Sequence, residues 1–214
     1  MFSAHNHQLP APIKGFEHIK RYWDPNLNLP TAKILPGECY VSAEGEMIVT
    51  VLGSCVAACI RDSALKIGGM NHFMLPVQSA SNTFNRPNAV TAELCYGNWA
   101  MEYLINSILK LGGKRERLEV KVFGGGRVLA GMTNIDVGQR NIEFVLDYLA
   151  RDQLKIVSQD LGSDCPRKVL YFPDSGAVKM KRLRVTAINT VQQREKAYMD
   201  AMRKKPEAGD VELF

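Results

Sequence analysis

Residues 48–76 read IVTVLGSCVAACIRDSALKIGGMNHFMLP, and their short apolar runs decide how the chain is expected to fold. Residues 47–51 and 56–61 are rich in small and β-branched apolar residues, which predicts two strands. A third strand is expected over residues 70–76 and ends at Pro76, because proline cannot donate to a strand ladder. The stretch therefore predicts several short strands joined by tight connections.

The turn between the first two strands carries a candidate nucleophile. Cys55 follows Gly53 and Ser54, and Gly53 lets the backbone bend freely. A thiol becomes an effective nucleophile when a base helps it to ionise, and a histidine distant in sequence can supply that base. His72 is the one histidine in the body of the chain, since the other three lie in the first 18 residues. The backbone N–H groups around Gly53 and Ser54 are candidates for holding an oxyanion.

The same residues also fit an inert core. Cysteine is among the most buried residue types, and the apolar residues 56–58 after Cys55 suit a core strand. A single histidine beside an apolar run is commonly a satisfied core residue. Cys59 lies an even number of residues after Cys55 and is interpreted as a packed core thiol. Spacing and composition alone leave the catalytic and structural interpretations open.

Five motifs follow one another along the chain, and the first two lie within residues 48–76. They are TVLGSCVAACIRD at 50–62, KIGGMNHFMLP at 66–76, FGGGR at 123–127, VGQRNI at 137–142 and RKVLYFPDSGAVKMKRL at 167–183. In these motifs the chain resembles the CheD family, the chemoreceptor glutamine deamidases of bacterial and archaeal chemotaxis. The resemblance extends over roughly residues 35–185.

The resemblance implies roles for three residues. It makes Cys55 the nucleophile, His72 its base and Thr50 the residue that orients the imidazole. The implied reaction is hydrolysis of receptor glutamine side chains to glutamate through a thioester, without metal or organic cofactor. The implied partners are the cytoplasmic helices of methyl-accepting chemoreceptors and, in some lineages, a CheC-type phosphatase. The implied function is adaptation, because each new glutamate adds a charge and a methylation substrate.

The composition is that of a globular chain with one domain. Hydrophobic residues make up 46% and charged residues 23% of the 214 residues, which is enough to bury a core. We expect a cytoplasmic protein without membrane insertion, because no apolar run has the length of a span and the first residues lack signal-peptide features. Five irregularly spaced cysteines argue against a disulfide framework and against structural zinc. The net charge of +5 comes without an aromatic-interleaved basic motif, so no nucleic-acid partner is expected.

Three segments are expected along the chain. Residues 1–34 form a proline-containing N-terminal extension that is predicted to be poorly ordered, with no regular core element before Ile34. Residues 35–187 form the CheD-like deamidase domain. Residues 188–214 form a charged helix, over about 190–204, and a tail.

The fold class predicted from the element order is α+β, or mixed α/β. Further strands are expected at 38–42, 118–123 and 155–160, and a hairpin over 167–172 and 178–185. The two main helices are expected at 91–111, closed by two glycines, and at 137–154. The family resemblance implies a layered sandwich of mostly antiparallel sheets, related to cysteine deamidase toxins.

Three other residues are candidates for lining the substrate site. Asn71 precedes the proposed base, Gly125 lies in a glycine-rich loop, and Arg140 begins the second helix. The loop lacks the spacing of a phosphate-binding motif, so we expect it to let backbone approach the active site. Arg140 either contacts substrate or satisfies backbone groups at the helix start. A polar loop at 77–89 is expected to form a lid or a substrate edge.

Two other functions remain open at this point. One is a different cysteine-dependent acyl transfer on the same pair, such as peptide cleavage or transamidation. The other is a non-catalytic module that binds receptors or a phosphatase. Sequence gives neither a peptide groove nor an amine acceptor site, and it does not identify the target glutamines.

Overall fold

Ten strands and three α-helices make up the fold within the described residues. The computed structural model describes residues 8–76, 89–128, 136–183 and 188–204. The strands are β1 (Lys20–Asp24), β2 (Leu29–Lys33), β3 (Cys39–Ser42), β4 (Met47–Leu52), β5 (Val56–Asp62), β6 (Ile67–Asn71), β7 (Leu118–Gly124), β8 (Ile156–Leu161), β9 (Arg167–Phe172) and β10 (Ala177–Arg182). The helices are α1 (Ala89–Lys110), α2 (Val137–Arg151) and α3 (Ile188–Lys204), and a short 3-10 helix spans Arg115–Arg117.

The strands form two five-stranded sheets, in the orders β1-β2-β4-β9-β10 and β3-β6-β5-β7-β8. All pairs are antiparallel except β2 with β4 and β7 with β8. The predicted α+β class with mostly antiparallel sheets is therefore confirmed. Strands β4 and β5 are consecutive but belong to different sheets. Residues 53–55 thus cross from one sheet to the other.

One apolar core joins the sheets and the helices α1 and α2. Strand β5 lies in the middle of its sheet, which explains why its first five residues are all buried. Each of the two helices buries apolar residues that recur at helical spacing, among them Met101, Leu104, Ile105, Ile108, Val145 and Leu149. Each such side chain contributes about 1.5–3 kcal/mol through burial.

The Gly68–Gly69 pair permits close packing on β6. A Cβ atom on Gly69 would lie 2.4 Å from the carbonyl oxygen of Tyr40 and 2.7 Å from Cδ1 of Leu104. Both approaches are shorter than real Cβ atoms allow, so glycine lets β3 and α1 pack against β6 at this point.

The expectation of no regular core element before Ile34 is wrong. Strands β1 and β2 form an antiparallel pair, and β2 also pairs in parallel with β4, which joins both strands to the first sheet. Phe16 and Ile19 are buried in the core. Arg21 of β1 donates from Nε to the buried Glu46 carboxylate at 2.7 Å. Composition alone suggested a tail because these core residues are sparse among prolines and polar residues.

The strand predicted for residues 70–76 is interrupted, because β6 ends at Asn71. The Val56–Phe73 pair keeps the register of β5 with β6, with both backbone hydrogen bonds at 3.0 Å. Between them, the N–H of Ala58 donates to the side-chain oxygen of Asn71 at 2.8 Å. A side-chain amide thus replaces a backbone acceptor and lets the chain at His72 leave the ladder.

The other elements lie close to their predicted positions. Helix α1 ends at Lys110, and Gly112 adopts a φ of +93° while the N–H of Gly113 donates to Ile108. Helix α2 begins at Val137 as predicted but ends at Arg151, three residues early. Of the loop predicted at 77–89, residues 77–88 lie outside the described residues, and Ala89 begins α1 instead. The last two residues of the predicted hairpin, 184 and 185, and the tail at 205–214 also lie outside them.

A buried carboxylate fastens the connections at one end of the second sheet. Asp62 accepts hydrogen bonds from the N–H groups of Ala64 and Leu65 at 3.0 Å, and of Lys114 at 2.8 Å. Arg117 donates to the same carboxylate from Nε at 2.8 Å. Burial opposes ionisation of Asp62, but these hydrogen bonds outweigh it and lower its pKa to about 2.

Replacing this carboxylate is expected to destabilise the fold. Asp62→Asn should lower the free energy of unfolding at pH 7 by about 2–3 kcal/mol, because it removes a charged hydrogen-bond acceptor. Urea denaturation followed by circular dichroism measures the difference, with the exposed Asp164→Asn as the control.

The pH dependence has a definite sign. The folded pKa of Asp62, about 2, lies below the ordinary unfolded value of about 3.9. The stabilisation is therefore present above about pH 4 and disappears as pH falls through about 2. An Asp62→Asn variant as stable as the wild type at pH 7 would contradict this assignment.

Candidate active site

The candidate site is built on the turn that crosses between the sheets. Gly53 leads the turn, and a side chain there would have to displace the side chains of Val128 and Glu195. A Cβ atom on Gly53 would lie 2.5 Å from Cγ2 of Val128 and 2.7 Å from Oε1 of Glu195. Cys55 follows at the end of the turn and is fully buried.

The glycine-rich loop after β7 clamps this turn. The N–H of Gly126 donates to the carbonyl of Gly53 at 2.7 Å, and the N–H of Gly125 donates to that of Cys55 at 2.8 Å. Gly124 has a φ of +113°, and a Cβ atom there would lie 2.1 Å from the Cys55 carbonyl oxygen. The loop therefore brings its backbone directly against the turn. This is the close approach that we expected of the loop. Gly125 contributes through its backbone.

Three backbone N–H groups of the turn converge on one carboxylate. Oε1 of Glu195 accepts from the N–H of Gly53 at 2.9 Å and of Cys55 at 3.3 Å. Oε2 accepts from the N–H of Ser54 at 3.0 Å and from its hydroxyl at 2.7 Å. Glu195 lies on α3 and is buried. The residues predicted as oxyanion donors therefore surround a group with the shape of a carboxylate product.

The Thr50 hydroxyl is hydrogen-bonded to the His72 imidazole. The Thr50 hydroxyl donates its proton to the carbonyl of Ile34 at 2.9 Å. Its oxygen lies 2.8 Å from Nδ1 of His72, so it accepts from an Nδ1–H group. The lone pair of the neutral ring is therefore on Nε2, which is buried and has no hydrogen-bond partner among the described residues. This is the tautomer that a base with a free Nε2 requires.

The strand register brings His72 near Cys55. With Val56 paired to Phe73, His72 lies opposite Ala57, two residues along from Cys55. Diagonal neighbours in an antiparallel pair have Cα atoms roughly 7–8 Å apart, within reach of side chains. The register thus makes His72 and Cys55 diagonal neighbours, and Thr50 from a third segment is hydrogen-bonded to His72.

Both members of the pair are held in their neutral forms. Burial and then the positive charge of Arg194 lower the pKa of His72 to about 3. Burial raises the pKa of the Cys55 thiol well above its ordinary value, and the charge of Glu195 and a hydrogen bond to it raise it further. Two residues of α3 therefore shift the pKa values of the candidate nucleophile and the candidate base.

The remaining predicted residues are placed differently. Asn71 is buried, and its Nδ2 donates to the carbonyl of Ala100 at 3.1 Å while its Oδ1 completes the strand ladder. This geometry supports a structural role. Arg140 lies in the first turn of α2, and its N–H donates to the carbonyl of Asp136 at 3.2 Å.

Sequence reasoning missed two buried polar residues of the site, Asn141 and Glu195. Asn141 donates from Nδ2 to the Ser54 carbonyl at 2.9 Å and accepts from the N–H of Leu75 at 2.8 Å. Each of the two is buried on the core-facing side of an amphipathic helix, at a position where an apolar residue is expected. That interruption was the available signal, because such a position disfavours a polar group without a partner.

An aromatic pocket adjoins His72. It has a volume of about 150 Å³, and its wall includes Gly37, His72, Tyr96 and Trp99. Trp99 is exposed and stacks on Tyr103 with ring centroids 5.1 Å apart. Among the described residues, no group of three or more His, Cys, Asp and Glu side chains is placed to hold a metal ion. None of the described helices is long and apolar enough to cross a membrane.

Known proteins are similar to this chain over nearly its whole length. The family model described as CheD chemotactic sensory transduction matches residues 74–182. A protein of Saccharophagus degradans named probable chemoreceptor glutamine deamidase CheD is 55% identical over 207 residues, 97% of this chain and 95% of that protein. Proteins of the same name from Halorhodospira halophila and Hahella chejuensis are 52% and 50% identical, over 96% and 100% of this chain and 94% and 100% of their own lengths. This chain therefore belongs to the CheD family.

Proposed function

We propose that this chain is a chemoreceptor glutamine deamidase that uses Cys55 and His72 to convert specific glutamine side chains to glutamate. One observation carries the proposal: the N–H groups of Gly53, Ser54 and Cys55 bind both oxygens of a carboxylate, which is the group that deamidation produces. Membership of the CheD family and the names of the relatives support the substrate class.

The first step is formation of the thiolate. His72 accepts the proton of Cys55 on Nε2, since Nδ1–H is already bound to Thr50. Thr50 in turn is fixed by the Ile34 carbonyl, so the ring cannot turn without losing a buried hydrogen bond. The reaction needs the charged pair only while substrate is bound, and burial keeps the pair neutral otherwise.

The second step is acyl transfer. The thiolate attacks the carboxamide carbon, and the oxyanion forms where Oε1 of Glu195 now lies, with the N–H groups of Gly53 and Cys55 as donors. The carbon–nitrogen bond breaks, and ammonia leaves with the proton from His72. A water molecule, deprotonated by His72, then attacks the thioester, which releases glutamate and restores the thiol.

Each conversion adds one negative charge to a receptor helix and a site for methylation. The proposal therefore assigns the chain to chemotactic adaptation, through electrostatics on a helical bundle. It places the reaction in the cytoplasm, where the receptor helices lie. It includes a CheC-type phosphatase among the partners, as the family resemblance implies.

Removal of either reacting group is expected to abolish conversion. Cys55→Ala and His72→Ala should each lower the rate by about a thousandfold or more, because nucleophile and base act as a unit. Mass spectrometry of a cognate receptor cytoplasmic fragment measures glutamine-to-glutamate conversion, with Cys165→Ala as the matched cysteine control. A cut receptor backbone would favour peptide cleavage instead. A receptor that binds without being converted by the wild type would favour the binding module.

The Thr50 hydroxyl is expected to affect turnover more than substrate binding. Thr50→Val removes the acceptor of Nδ1–H and should lower kcat by about 10- to 100-fold with a smaller change in KM, since a buried unsatisfied donor costs about 1–3 kcal/mol. Thr50→Ser keeps the hydroxyl and should retain most activity. Nitrogen NMR of the imidazole reports the tautomer directly. A Thr50→Val protein with unchanged kcat and unchanged tautomer would contradict the orienting role.

A further inference from the structure

Helix α3 lies with one face against the candidate site. Val191, Glu195 and Met199 are spaced four residues apart, and all three are buried. Such spacing places them on one side of a helix. Apolar residues therefore flank the carboxylate on both sides, while Gln193, Lys196 and Ala197 are exposed.

Two polar contacts hold the helix on either side of Glu195. The side-chain amide of Gln192 donates to the carbonyl of Val128, which follows the glycine-rich loop. The Tyr198 hydroxyl is hydrogen-bonded to that of Tyr96 on α1. Tyr198 also packs on Gly37, where a Cβ atom would lie 2.4 Å from its hydroxyl oxygen. Four segments thus contact α3: the turn at residues 53–55, the residue Gly37, helix α1 and the end of the glycine-rich loop at Val128. We call the surface that they form the groove, and in this structure it holds a helix.

The carboxylate at the centre of this helix prevents substrate from entering. Glu195 uses all three N–H groups of the turn and the Ser54 hydroxyl. The carbonyl oxygen of a substrate amide needs the N–H groups of Gly53 and Cys55, and both groups cannot occupy the buried turn together. Turnover therefore requires that Glu195 leave.

We propose that α3 is an intramolecular product mimic, which occupies the groove of the substrate helix and places Glu195 where the target side chain is deamidated. The inference rests on the proposed function and adds the form of the substrate. The groove takes an α-helix that carries its glutamine with apolar residues four positions before and after it and an aromatic or similar residue three positions after it. These positions correspond to Val191, Met199 and Tyr198.

The charges on α3 fit a resting state. Glu195 opposes ionisation of the Cys55 thiol, and Arg194 opposes protonation of His72. Departure of the helix removes both effects at the moment when a neutral amide replaces the carboxylate. The helix therefore blocks the site sterically and also keeps the nucleophile unreactive.

The direct test turns α3 into a substrate of its own enzyme. In a Glu195→Gln variant, the introduced carbonyl oxygen can accept from Gly53 and Cys55, and its NH2 group can donate to the Ser54 hydroxyl. Cys55 should then form a thioester with the introduced side chain and release ammonia, and solvent water should hydrolyse the thioester to glutamate and regenerate the thiol. Peptide mass spectrometry measures conversion at position 195.

The same peptide supplies its own controls. Gln192 and Gln193 are native glutamines on α3, and both should stay unconverted because neither faces the turn. The conversion should be first-order and independent of protein concentration, and it should be absent when Cys55→Ala is combined with Glu195→Gln. A stable glutamine at position 195 in a folded variant that still converts receptor would overturn the proposal, and so would conversion that depends on protein concentration.

A second experiment separates this proposal from the proposed function. Glu195→Ala should lower the apparent KM for a receptor fragment, by about tenfold if α3 is bound about 90% of the time. Lys196→Ala, exposed on the same helix, should leave KM unchanged. Hydrogen exchange on the wild type should show that residues 188–204 lose protection when receptor is added.

Receptor conversion with unchanged KM and a fully protected α3 would overturn the role of the helix while the deamidase function stands. No conversion by any variant would instead contradict the function on which the inference rests.

Discussion

The site depends on three backbone N–H groups that point to one place. Residues 53–55 pass from one sheet to the other, so their N–H groups cannot join either ladder. A buried N–H without an acceptor costs about 1–3 kcal/mol. Three such groups together therefore favour binding of a negatively charged or strongly polarised oxygen. The carbonyls of the same turn are satisfied separately, by Gly125, Gly126 and Asn141. The fold thus holds the donors in place independently of their acceptor, and the proposed oxyanion site requires such preorganised donors.

The second constraint is the low polarity around the reacting pair. Burial alone favours a neutral thiol and a neutral imidazole. Helix α3 strengthens that preference, because the charge of Glu195 raises the pKa of Cys55 and the charge of Arg194 lowers the pKa of His72. A cysteine in this state is protected from adventitious chemistry, because the thiolate and not the thiol is the nucleophile. Under the proposed mechanism, substrate creates the active state. The proposal links specificity to reactivity, since a ligand that displaces Glu195 also removes its charge from beside Cys55.

Much of this structure was accessible from sequence because local pattern and global fold agree. The strands around Cys55, the two main helices and the final hairpin have clear periodicity and turn residues, and the family motifs indicated Cys55, His72 and Thr50 as candidates. The two strands before Ile34 were missed because β1 is held largely by pairing and by the Arg21–Glu46 contact, which no local pattern reveals. The break at Asn71 was missed for a related reason, since a side chain completes a ladder whose partner is distant in sequence. Glu195 lies 140 residues from Cys55 in sequence, and its signal was a single polar residue between the apolar Val191 and Met199 on a charged helix.

The central claim is that glutamine is hydrolysed through a thioester on Cys55, and hydroxylamine tests it most directly. Hydroxylamine intercepts thioesters, so receptor incubated with enzyme and hydroxylamine should carry a hydroxamate at the residue that otherwise becomes glutamate. The account predicts that the hydroxamate share rises with hydroxylamine concentration and that Cys55→Ala forms neither product. Glutamate formed alone at every hydroxylamine concentration would show that water attacks the amide without an acyl-enzyme, and would contradict the account.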